Sequence, residues 1–546
     1  MAHRYFLNSV DSFLTDALRG FVAAQPGIAW HRDPGFLART TATPPGRVAL
    51  VSGGGSGHEP MHSGLIGEGM LDAVCPGLIF TSPNALQIAA ATKHVHSDAG
   101  VLHIVKNYTG DMMNFRIARD MARDDGIETE YVVVADDVAT EADDDAPGRR
   151  GTGATIVVEK ICGAAAAEGA ALADVAALGR RVADHARSMS VALTACTVPG
   201  ADEPSFDLGD DEMELGIGIH GESGADRTQW RPAGAIVEAL MERINASLKL
   251  SAGDDVIVVV NGLGGTHPLE LHLLFGHVLE ELAALEVRVI RSLVGTMVTA
   301  LDMRGASVTV VRADDEMVRL WDAPTAAPAW PRLVDAAPSA LTDTTFAAPH
   351  DAADSGPECG WLSTFVERVQ GGIDDLTALD RQAGDGDFGV NMSAALQHFS
   401  LPLRGSDADV LAAIAQSYFV RAGGTSGAVF GTLFRELSKS FADHDDDFTA
   451  TFAAGIRSGL DAIVDLGGAQ VGDNTVVDAL HPAKEALQRG DSLQQVAEAA
   501  TEGAESTKDR VARKGRASYV GEAGKDVIDP RALVVSWLFE AASSAG

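Results

Sequence analysis

The stretch Arg47-Val-Ala-Leu-Val-Ser-Gly-Gly-Gly-Ser-Gly57 determines the fold of the N-terminal part of the chain. Its β-branched run predicts a buried strand, and the glycines predict a turn where a ligand can approach the backbone closely. A strand followed by a polar or glycine-rich segment recurs at Val101-Leu-His-Ile-Val-Lys106 and Asp255-Val-Ile-Val-Val-Val260. Helical stretches separate these strands. We therefore predict two α/β subdomains with mainly parallel or mixed sheets and ligands bound where strands end.

Beyond this region the composition changes twice. Six of the 21 prolines stand between residues 322 and 358, which predicts a linker. After it, apolar residues recur at helical spacing without a convincing strand, which predicts an all-α domain of about eight helices. The predicted organisation is an α/β domain at 1–322, a linker at 323–358 and an all-α domain at 359–546. The clearest helical patterns cover 359–379, 407–420, 427–441, 448–464, 475–487, 493–504 and 531–542.

The charge of the chain excludes several classes of partner. Its 546 residues carry a formal net charge of −35, which repels phosphate backbones and anionic lipid headgroups. We therefore expect neither nucleic-acid nor membrane binding, and the lack of a long apolar run or signal peptide predicts a cytoplasmic protein. The four scattered cysteines form no C-x-x-C pair, which argues against disulfides and a thiolate zinc site. Phosphate binding would need a metal ion or backbone N–H groups.

Three motifs match familiar patterns in the wrong context. The dinucleotide pattern G-x-G-x-x-G occurs at 216–221, which is itself strand-like, and at 384–389, which follows a helix and carries two carboxylates. The zinc-protease pattern H-E-x-x-H occurs at His58-Glu-Pro-Met-His62. A helix that begins at Pro60 would leave His58 outside it, so the i, i+4 geometry would fail. Neither a dinucleotide-binding enzyme nor a metalloprotease is predicted.

Two loops in the helical domain indicate a metal–nucleotide site. Three carboxylates crowd the stretch Asp380-Arg-Gln-Ala-Gly-Asp-Gly-Asp387 and repel one another unless a cation lies between them. Oxygen ligands alone suit Mg²⁺, which also takes substrate phosphates, whereas a helix N-cap would explain only one aspartate. The loop Gly423-Gly-Thr-Ser-Gly427 precedes an apolar helical run, so its N–H groups and hydroxyls predict a phosphate site at a helix N-terminus.

Polar residues at strand ends are candidates for a second site. The glycine-rich turn ends at His58, and Lys106-Asn-Tyr-Thr-Gly-Asp111 adds a cation and a carboxylate at another strand exit. A tight turn and a surface ion pair would explain these features equally well. His220 ends an apolar run among glycines, where a lone histidine is more often a satisfied core residue than a catalyst. Spacing alone leaves these alternatives open.

Seven motifs in order make the chain resemble the dihydroxyacetone kinase family, in the single-chain form that joins a substrate-binding K domain to a nucleotide-binding L domain. They are SGGGSGHEPMH at 52–62, KNYTGD at 106–111, ACTVP at 195–199, GIGIHGE at 216–222, GDGDFG at 384–389, GGTSG at 423–427 and GRASYV at 515–520. The resemblance implies a kinase that uses ATP and Mg²⁺ to phosphorylate dihydroxyacetone or a related short ketose such as erythrulose. It also implies a homodimer with active sites completed across subunits.

The resemblance assigns roles to residues in both domains. His220 is expected to bind the ketone covalently as a hemiaminal, and Asp111 or His58 to take the proton from the attacking hydroxyl. The expected ketose-binding residues are Gly54, Gly55, Ser56, His58, Lys106, Asp111 and His220. The expected ligands of two Mg²⁺ ions are Asp380, Asp385 and Asp387. The expected nucleotide contacts are Phe388, Gly389, Asn391, Thr425, Ser426, Gly472 and Asp529.

The L domain departs from the family pattern at several positions. Ala523 stands where the family usually has arginine, Phe388 where histidine, cysteine or threonine is frequent, and Asn474 where lysine is common. The family's usual Asp-Pro-Gly-Ala is here Asp529-Pro-Arg531-Ala. The physiological ketose and the nucleotide preference therefore stay open. Two other functions also stay open: a ketose-binding regulator with a weakened nucleotide domain, and a lyase that forms a cyclic flavin nucleotide from FAD as a side activity.

Overall fold

The chain forms two compact units, Met1–Leu341 and Thr342–Gly546. The structure is a computed structural model that describes residues 5–141, 148–222, 224, 226–332, 336–338, 356–383, 386–443, 447–514 and 526–545. Most of the linker predicted at 323–358 lies outside these ranges, as do the motif at 515–520 and the departure at Ala523. The two units are therefore described separately.

The described residues of the first unit contain eight α-helices and twelve strands. The helices are α1 (Phe13–Ala24), α2 (Ala85–Val95), α3 (Thr109–Asp124), α4 (Ala154–Ala167), α5 (Leu172–Asp184), α6 (Ala233–Leu248), α7 (Pro268–Ala284) and α8 (Asp315–Asp322). The strands are β1 (Ile28–His31), β2 (Phe36–Arg39), β3 (Ala49–Ser56), β4 (Ala73–Ile79), β5 (Val101–Lys106), β6 (Thr129–Val134), β7 (Ala186–Ala192), β8 (Glu212–Leu215), β9 (Asp226–Gln229), β10 (Asp255–Gly262), β11 (Arg288–Gly295) and β12 (Gly305–Arg312).

The first sheet has the order β1-β2-β4-β3-β5-β6 and is parallel from β4 to β6. All eight residues of β3 are buried, and the strand continues through the glycines that were predicted to form a turn. Glycine is needed there because a Cβ at Gly53 would lie 2.6 Å from the carbonyl oxygen of Cys75 on β4. The register between β3 and β4 shifts after Gly54, so the end of β3 departs from regular pairing.

The second sheet has the order β11-β10-β12-β7-β8-β9. Its β10–β11 pair is parallel, and the other pairs are antiparallel. The prediction of two α/β subdomains with mixed sheets is therefore confirmed. The prediction that 216–221 is strand-like was wrong, because β8 ends at Leu215 and Gly216 has a φ of 75°. His220 consequently lies in the turn after β8.

The described residues of the second unit form helices and no strand, so the predicted all-α domain is confirmed. The helices are α9 (Gly360–Gly371), α10 (Ile373–Ala383), α11 (Phe388–Leu396), α12 (Asp407–Arg421), α13 (Gly424–Asp443), α14 (Phe448–Gly467), α15 (Val477–Arg489), α16 (Leu493–Glu505) and α17 (Pro530–Ala542). Gly372 divides the predicted helix at 359–379 into α9 and α10. Throughout the described ranges, no helix combines the length and apolarity needed to cross a membrane.

Candidate active site

A buried lysine lies at the centre of the first candidate site. Lys106 is the last residue of β5, and its Nζ lies 2.8 Å from Nε2 of His62 and 3.4 Å from the carbonyl oxygen of Gly53. Oδ2 of Asp111 is 4.0 Å from the same Nζ and belongs to the first turn of α3, where helix N–H groups favour a carboxylate. Burial lowers the pKa of Lys106, and the charges of Asp111 and Glu159 oppose that shift.

Two residues that were not predicted as site residues, His62 and Glu159, extend this cluster. Oε1 of Glu159 lies 2.5 Å from Nδ1 of His62, whose Nε2 faces Lys106. Burial raises the pKa of Glu159 to about 8 and lowers the pKa of His62 well below its usual value. A neutral imidazole thus links a carboxyl group to the lysine through its two nitrogens. The H-E-x-x-H match marked His62, whereas no local pattern marks Glu159 in the buried helix α4.

His220 is oriented by a nearby carboxylate. Nδ1 of His220 lies 3.1 Å from Oε1 of Glu222, and the backbone N–H of His220 donates to Oε2 at 3.0 Å. Burial raises the pKa of Glu222, but the hydrogen bond and charge of His220 outweigh that effect and lower it to about 2. The ionised carboxylate can only accept a hydrogen bond, so Nδ1 carries the proton. In the neutral form of the ring, the lone pair is then on Nε2.

Polar atoms without partners lie on two neighbours of the His220 ring and on Asp111. The rings of His58 and Tyr108 lie 4.8 and 4.6 Å from it, measured between centroids. His58 is fully buried, burial lowers its pKa, and its Nδ1 is 2.8 Å from the carbonyl oxygen of Thr299. Among the described residues, Nε2 of His58, Oδ1 of Asp111 and the hydroxyl of Tyr108 have no hydrogen-bond partner. Buried groups of this kind are normally satisfied, so a polar ligand fits here.

The end of β3 leaves room for this cluster only because it carries glycine. A Cβ at Gly54 would lie 2.0 Å from Nζ of Lys106, and a Cβ at Gly55 would lie 2.7 Å from the backbone of Phe80. Ser56 is buried, and its hydroxyl donates to the carbonyl oxygen of Gly77 at 2.7 Å. The predicted residues with side chains in this cluster are therefore His58, Lys106, Asp111 and His220.

The second candidate site begins at the aspartate loop. Asp380 is buried near the end of α10, and its Oδ2 accepts the backbone N–H groups of Gly386 and Phe388 at 3.0 Å each. Asp387 lies just before α11 on the same loop, and Asp385 is outside the described residues. No cluster of three potential His, Cys, Asp or Glu ligands occurs in the part of the chain that the structure describes. The carboxylate oxygens of Asp380 and Asp387 nevertheless fit the donors that Mg²⁺ prefers.

A cavity of about 250 Å³ lies beside α13, α14 and the start of α17. Apolar side chains of α13 and α14 form one wall: Val429, Phe430, Ile463 and Leu466. Seven polar residues also line the cavity: Thr425, Ser426, Asn474, Thr475, Lys514, Asp529 and Arg531. Because α13 begins at Gly424, the predicted glycine loop supplies a helix N-terminus, and its hydroxyl residues lie in the first turn. An apolar wall suits a flat base, and the polar residues suit phosphates.

An arginine connects the cavity to the aspartate loop. Asp529 caps α17 by accepting the backbone N–H groups of Arg531 and Ala532, and burial raises its pKa. The guanidinium of Arg531 lies 2.9 Å from Oδ1 of Asp380 and 5.0 Å from the ring centroid of Phe388. The Phe388 ring itself is fully buried in the helical core. Arg531 was quoted in a sequence motif but was not predicted as a site residue.

The other predicted nucleotide contacts shape the loops around the cavity. A Cβ at Gly389 would lie 1.9 Å from a side-chain oxygen of α10, so α11 packs closely against that helix. Oδ1 of Asn391 accepts the N–H of Gly423 at 3.0 Å, and the N–H of Gly472 donates to Asp478 at 2.6 Å. These residues hold the loop backbones in place, and the cavity wall is formed by their neighbours.

The buried polar cluster on the α/β unit and the cavity beside the aspartate loop on the helical unit fit a class of protein, a phosphotransferase with two substrates. Comparison with known proteins gives the family. The Dak1 domain matches residues 19–329, and the DAK2 domain matches residues 382–544. The chain belongs to the dihydroxyacetone kinase family.

Whole-chain relatives agree with this assignment. L-erythrulose 1-kinase of Mycolicibacterium smegmatis is 36% identical over 98% of this chain and 98% of its own. The triokinase/FMN cyclase of Rattus norvegicus is 36% identical over 99% of this chain and 98% of its own. The crystal structure of the dihydroxyacetone kinase from C. freundii in complex with AMP-PNP and Mg²⁺ matches with a TM-score of 0.66 and 30% identity, covering 100% of both chains.

Proposed function

We propose that this protein, an ATP-dependent kinase of short-chain ketoses, phosphorylates dihydroxyacetone or erythrulose at a terminal hydroxyl. The observation that carries the proposal is the buried cluster in which Lys106 and Asp111 accompany a histidine, His220, with an available ring nitrogen. The relatives named for erythrulose, triose and dihydroxyacetone support the substrate class. The relative solved with AMP-PNP and Mg²⁺ supports the phosphate donor.

The ketose is proposed to be held as a hemiaminal on His220. Glu222 fixes the proton on Nδ1, so the lone pair of Nε2 is available to attack the ketone carbon. The new bond from Nε2 to the ketone carbon forms while the carbonyl π electrons move to oxygen. The oxygen gains one proton as the ring loses its Nδ1 proton on the side of Glu222, so the proton count is unchanged and no group leaves. This step selects ketones and aldehydes over plain polyols.

Asp111 and His58 are the proposed bases for the attacking hydroxyl. Each has an atom without a described partner, Oδ1 of Asp111 and Nε2 of His58, and burial keeps His58 neutral. The ammonium group of Lys106, which lies 4.0 Å from Oδ2 of Asp111, would bind a ketose oxygen. Gly54, Gly55 and the backbone at Ser56 would contact the ketose hydroxyls.

The second unit is proposed to bind ATP with two Mg²⁺ ions. Asp380, Asp385 and Asp387 would hold the ions, which supply the charge neutralisation that phosphoryl transfer requires. Thr425 and Ser426, in the first turn of α13, would bind phosphate oxygens, and the apolar wall would bind the base. The remaining predicted contacts, which position the surrounding loops, are Phe388, Gly389, Asn391, Gly472 and Asp529.

ATP consumption with Mg²⁺ tests the proposed reaction. We expect turnover with dihydroxyacetone or an erythrulose enantiomer and little with glycerol, which lacks the carbonyl group. His220→Ala is expected to abolish ketose turnover, whereas the control His277→Ala, in an exposed pair with Glu280 on α7, is expected to leave it unchanged. Ketose binding without turnover by the wild type would contradict a kinase and favour the regulator.

Carbon-13 NMR tests the hemiaminal independently of ATP. Dihydroxyacetone labelled at the ketone carbon is expected to show a protein-bound tetrahedral carbon with the wild type and none with His220→Ala. A bound ligand that keeps its carbonyl resonance would refute the covalent step and leave the kinase reaction possible. The two experiments therefore separate the activity from its proposed intermediate.

The active form is proposed to be a homodimer in which each reaction uses sites from both subunits, as the family resemblance suggests. Mixing the inactive variants His220→Ala and Asp380→Asn after subunit exchange is expected to restore part of the activity. Failure of restoration in a mixture shown to contain mixed dimers would argue against shared sites. We further propose that the kinase acts in the cytoplasm, which is consistent with its four free, buried cysteines.

A second activity on FAD is supported by one observation, the rat relative named triokinase/FMN cyclase. The lyase would use the same aspartates with Mn²⁺ or a similar ion. Incubation with FAD and Mn²⁺ is expected to release a cyclic flavin nucleotide, and Asp380→Asn is expected to abolish it. An unchanged FAD concentration under conditions that support ketose phosphorylation would exclude this activity.

A further inference from the structure

Arg531 borders both the cavity and the aspartate loop. Its Nη2 lies 2.9 Å from Oδ1 of Asp380, and its Nη1 lies 3.4 Å from Oδ2 of Asp529. The guanidinium lies over the ring of Phe388, and the side chain is only 18% exposed. Packing and charge therefore fix a cation next to the residues that are proposed to bind the metal–nucleotide.

The two carboxylates do not depend on Arg531 for all their hydrogen bonds. Asp380 accepts two backbone N–H groups from its own loop, and Asp529 accepts two from the first turn of α17. A guanidinium has five N–H donors, so it can serve a carboxylate and an anion together or exchange one for the other. If Arg531 turned to another partner, both carboxylates would keep polar contacts.

A polyphosphate needs local cations in this protein because the net charge is −35. Two cationic side chains, Lys514 and Arg531, are among the residues that line the cavity. A guanidinium is planar and binds two oxygens of a phosphate in parallel, whereas an ammonium acts as a point charge. Arg531 is also the one of the two that contacts the aspartate loop, where the metal ions are expected.

We propose that Arg531 is a phosphate-binding residue of the nucleotide site, and that it neutralises Asp380 before a metal ion binds there. The inference rests on the proposed function, since it requires a nucleotide in the cavity. Arg531 thereby has two successive partners, the carboxylate of Asp380 and a phosphate oxygen of the nucleotide. It is a binding residue that the sequence motifs did not reveal.

Calorimetry on the full chain with a metal chelator tests the phosphate contact without catalysis. Arg531→Gln is expected to weaken ATP binding about 10- to 100-fold, because a charge-assisted hydrogen bond is lost, and to leave adenosine binding unchanged. Arg531→Lys keeps the charge without the planar fork and is expected to be intermediate. The control Arg368→Gln removes a guanidinium that lies over Trp537 and pairs with Glu540 outside the cavity.

Four results would overturn all or part of the inference. Unchanged ATP affinity in Arg531→Gln would show that Arg531 makes no phosphate contact. Equal losses of affinity for ATP and adenosine would indicate that Arg531 has only a structural role. A wild type that binds neither compound would refute the nucleotide site itself, which is distinguishable from a failure of Arg531 alone. A second experiment tests the neutralising role by measuring Mn²⁺ affinity with electron paramagnetic resonance in the absence of nucleotide. Arg531→Gln is expected to bind Mn²⁺ more tightly, and unchanged Mn²⁺ affinity would overturn the neutralising role.

Discussion

Replacing Glu159 with glutamine is expected to change how the stability of the first unit depends on pH. Glu159 is fully buried, and burial raises its pKa from the usual 4.5 to about 8. A carboxyl group with a raised pKa stabilises the fold below pH 4.5 and loses that contribution as the pH rises to 8, because the unfolded chain releases its proton first. Glutamine keeps the shape of the neutral carboxyl group and does not titrate.

The size of the effect follows from the shift. One pKa unit corresponds to about 1.4 kcal/mol, so Glu159 titrating alone would cost the wild type roughly 4 to 5 kcal/mol across this range. The pKa of about 8 already includes the charge of Lys106, which opposes the shift. Because the charge of Glu159 raises the pKa of Lys106, this pKa falls further in the variant. A lower pKa of Lys106 in the folded state increases the stability of the variant relative to the wild type as the pH rises. We expect the stability difference between Glu159→Gln and wild type to grow by about 1 kcal/mol per pH unit.

Hydrogen exchange in urea, read on peptides from β5 and α4, measures the free energy of unfolding of the first unit separately from the second. The measurement is repeated at pH values from about 5 to 8, the window set by the shift of Glu159. Glu168→Gln is the matched control, because Glu168 lies at the end of the same helix in an exposed ion pair with Arg319. Its curve is expected to parallel the wild type. A Glu159→Gln curve that is also parallel would refute the reasoning, since Glu159 would then have no raised pKa in the fold.

Three further substitutions test the two sites. Gly54→Ala is expected to raise the KM for dihydroxyacetone at least about tenfold, because its Cβ would lie 2.0 Å from Nζ of Lys106. Gly20→Ala, with open space around the new Cβ, is the control, and equal KM values for both variants would contradict the close approach. Glu222→Gln is expected to lower kcat/KM at least about 100-fold, because the side chain at 222 no longer fixes the proton on Nδ1 of His220, the proposed nucleophile. Wild-type kinetics would show that this carboxylate does not set the tautomer. Gly389→Ala is expected to destabilise the second unit by about 2 kcal/mol, because its Cβ would overlap α10, and unchanged urea unfolding of α11 peptides would contradict that packing.

Two of the strands that the sequence predicts correctly, β5 and β10, are buried in the middle of a sheet. β5 and β10 are nearly continuous apolar runs because neighbours cover both faces, and such a run is visible without knowing its partners. The four-residue strand β9 has no buried residue, and no pattern marks it. Glycine led to two wrong predictions. The glycines of β3 were predicted to form a turn but permit close contact between strands, and Gly216 ends the extended segment before His220, which was predicted to continue.

The sequence identifies candidate site residues that lie within a short motif. It does not identify those whose role depends on a partner far away in the sequence. Lys106 and Asp111 belong to one short motif because a strand end and the following helix start are adjacent in the chain. Glu159 is 97 residues from His62 in the sequence, and it is one of several polar residues in the buried helix α4. Arg531 likewise depends on Asp380 of another helix. Local patterns specify secondary structure, but the pairing of buried charges is decided by tertiary packing.

The two sites differ in how their buried charges would stay paired when a ligand binds. In the first unit, Lys106 keeps its partners His62 and Asp111. Two of the three site atoms without described partners, on His58 and Tyr108, belong to groups that are neutral at neutral pH, and the third is Oδ1 of Asp111. An uncharged ketose can satisfy these atoms without separating an ion pair. In the second unit, the phosphates and metal ions bring charges of their own, and removing one partner from a buried ion pair costs several kcal/mol. Exchanging Arg531 from a carboxylate to a phosphate avoids that cost, because the guanidinium is never left without an anion.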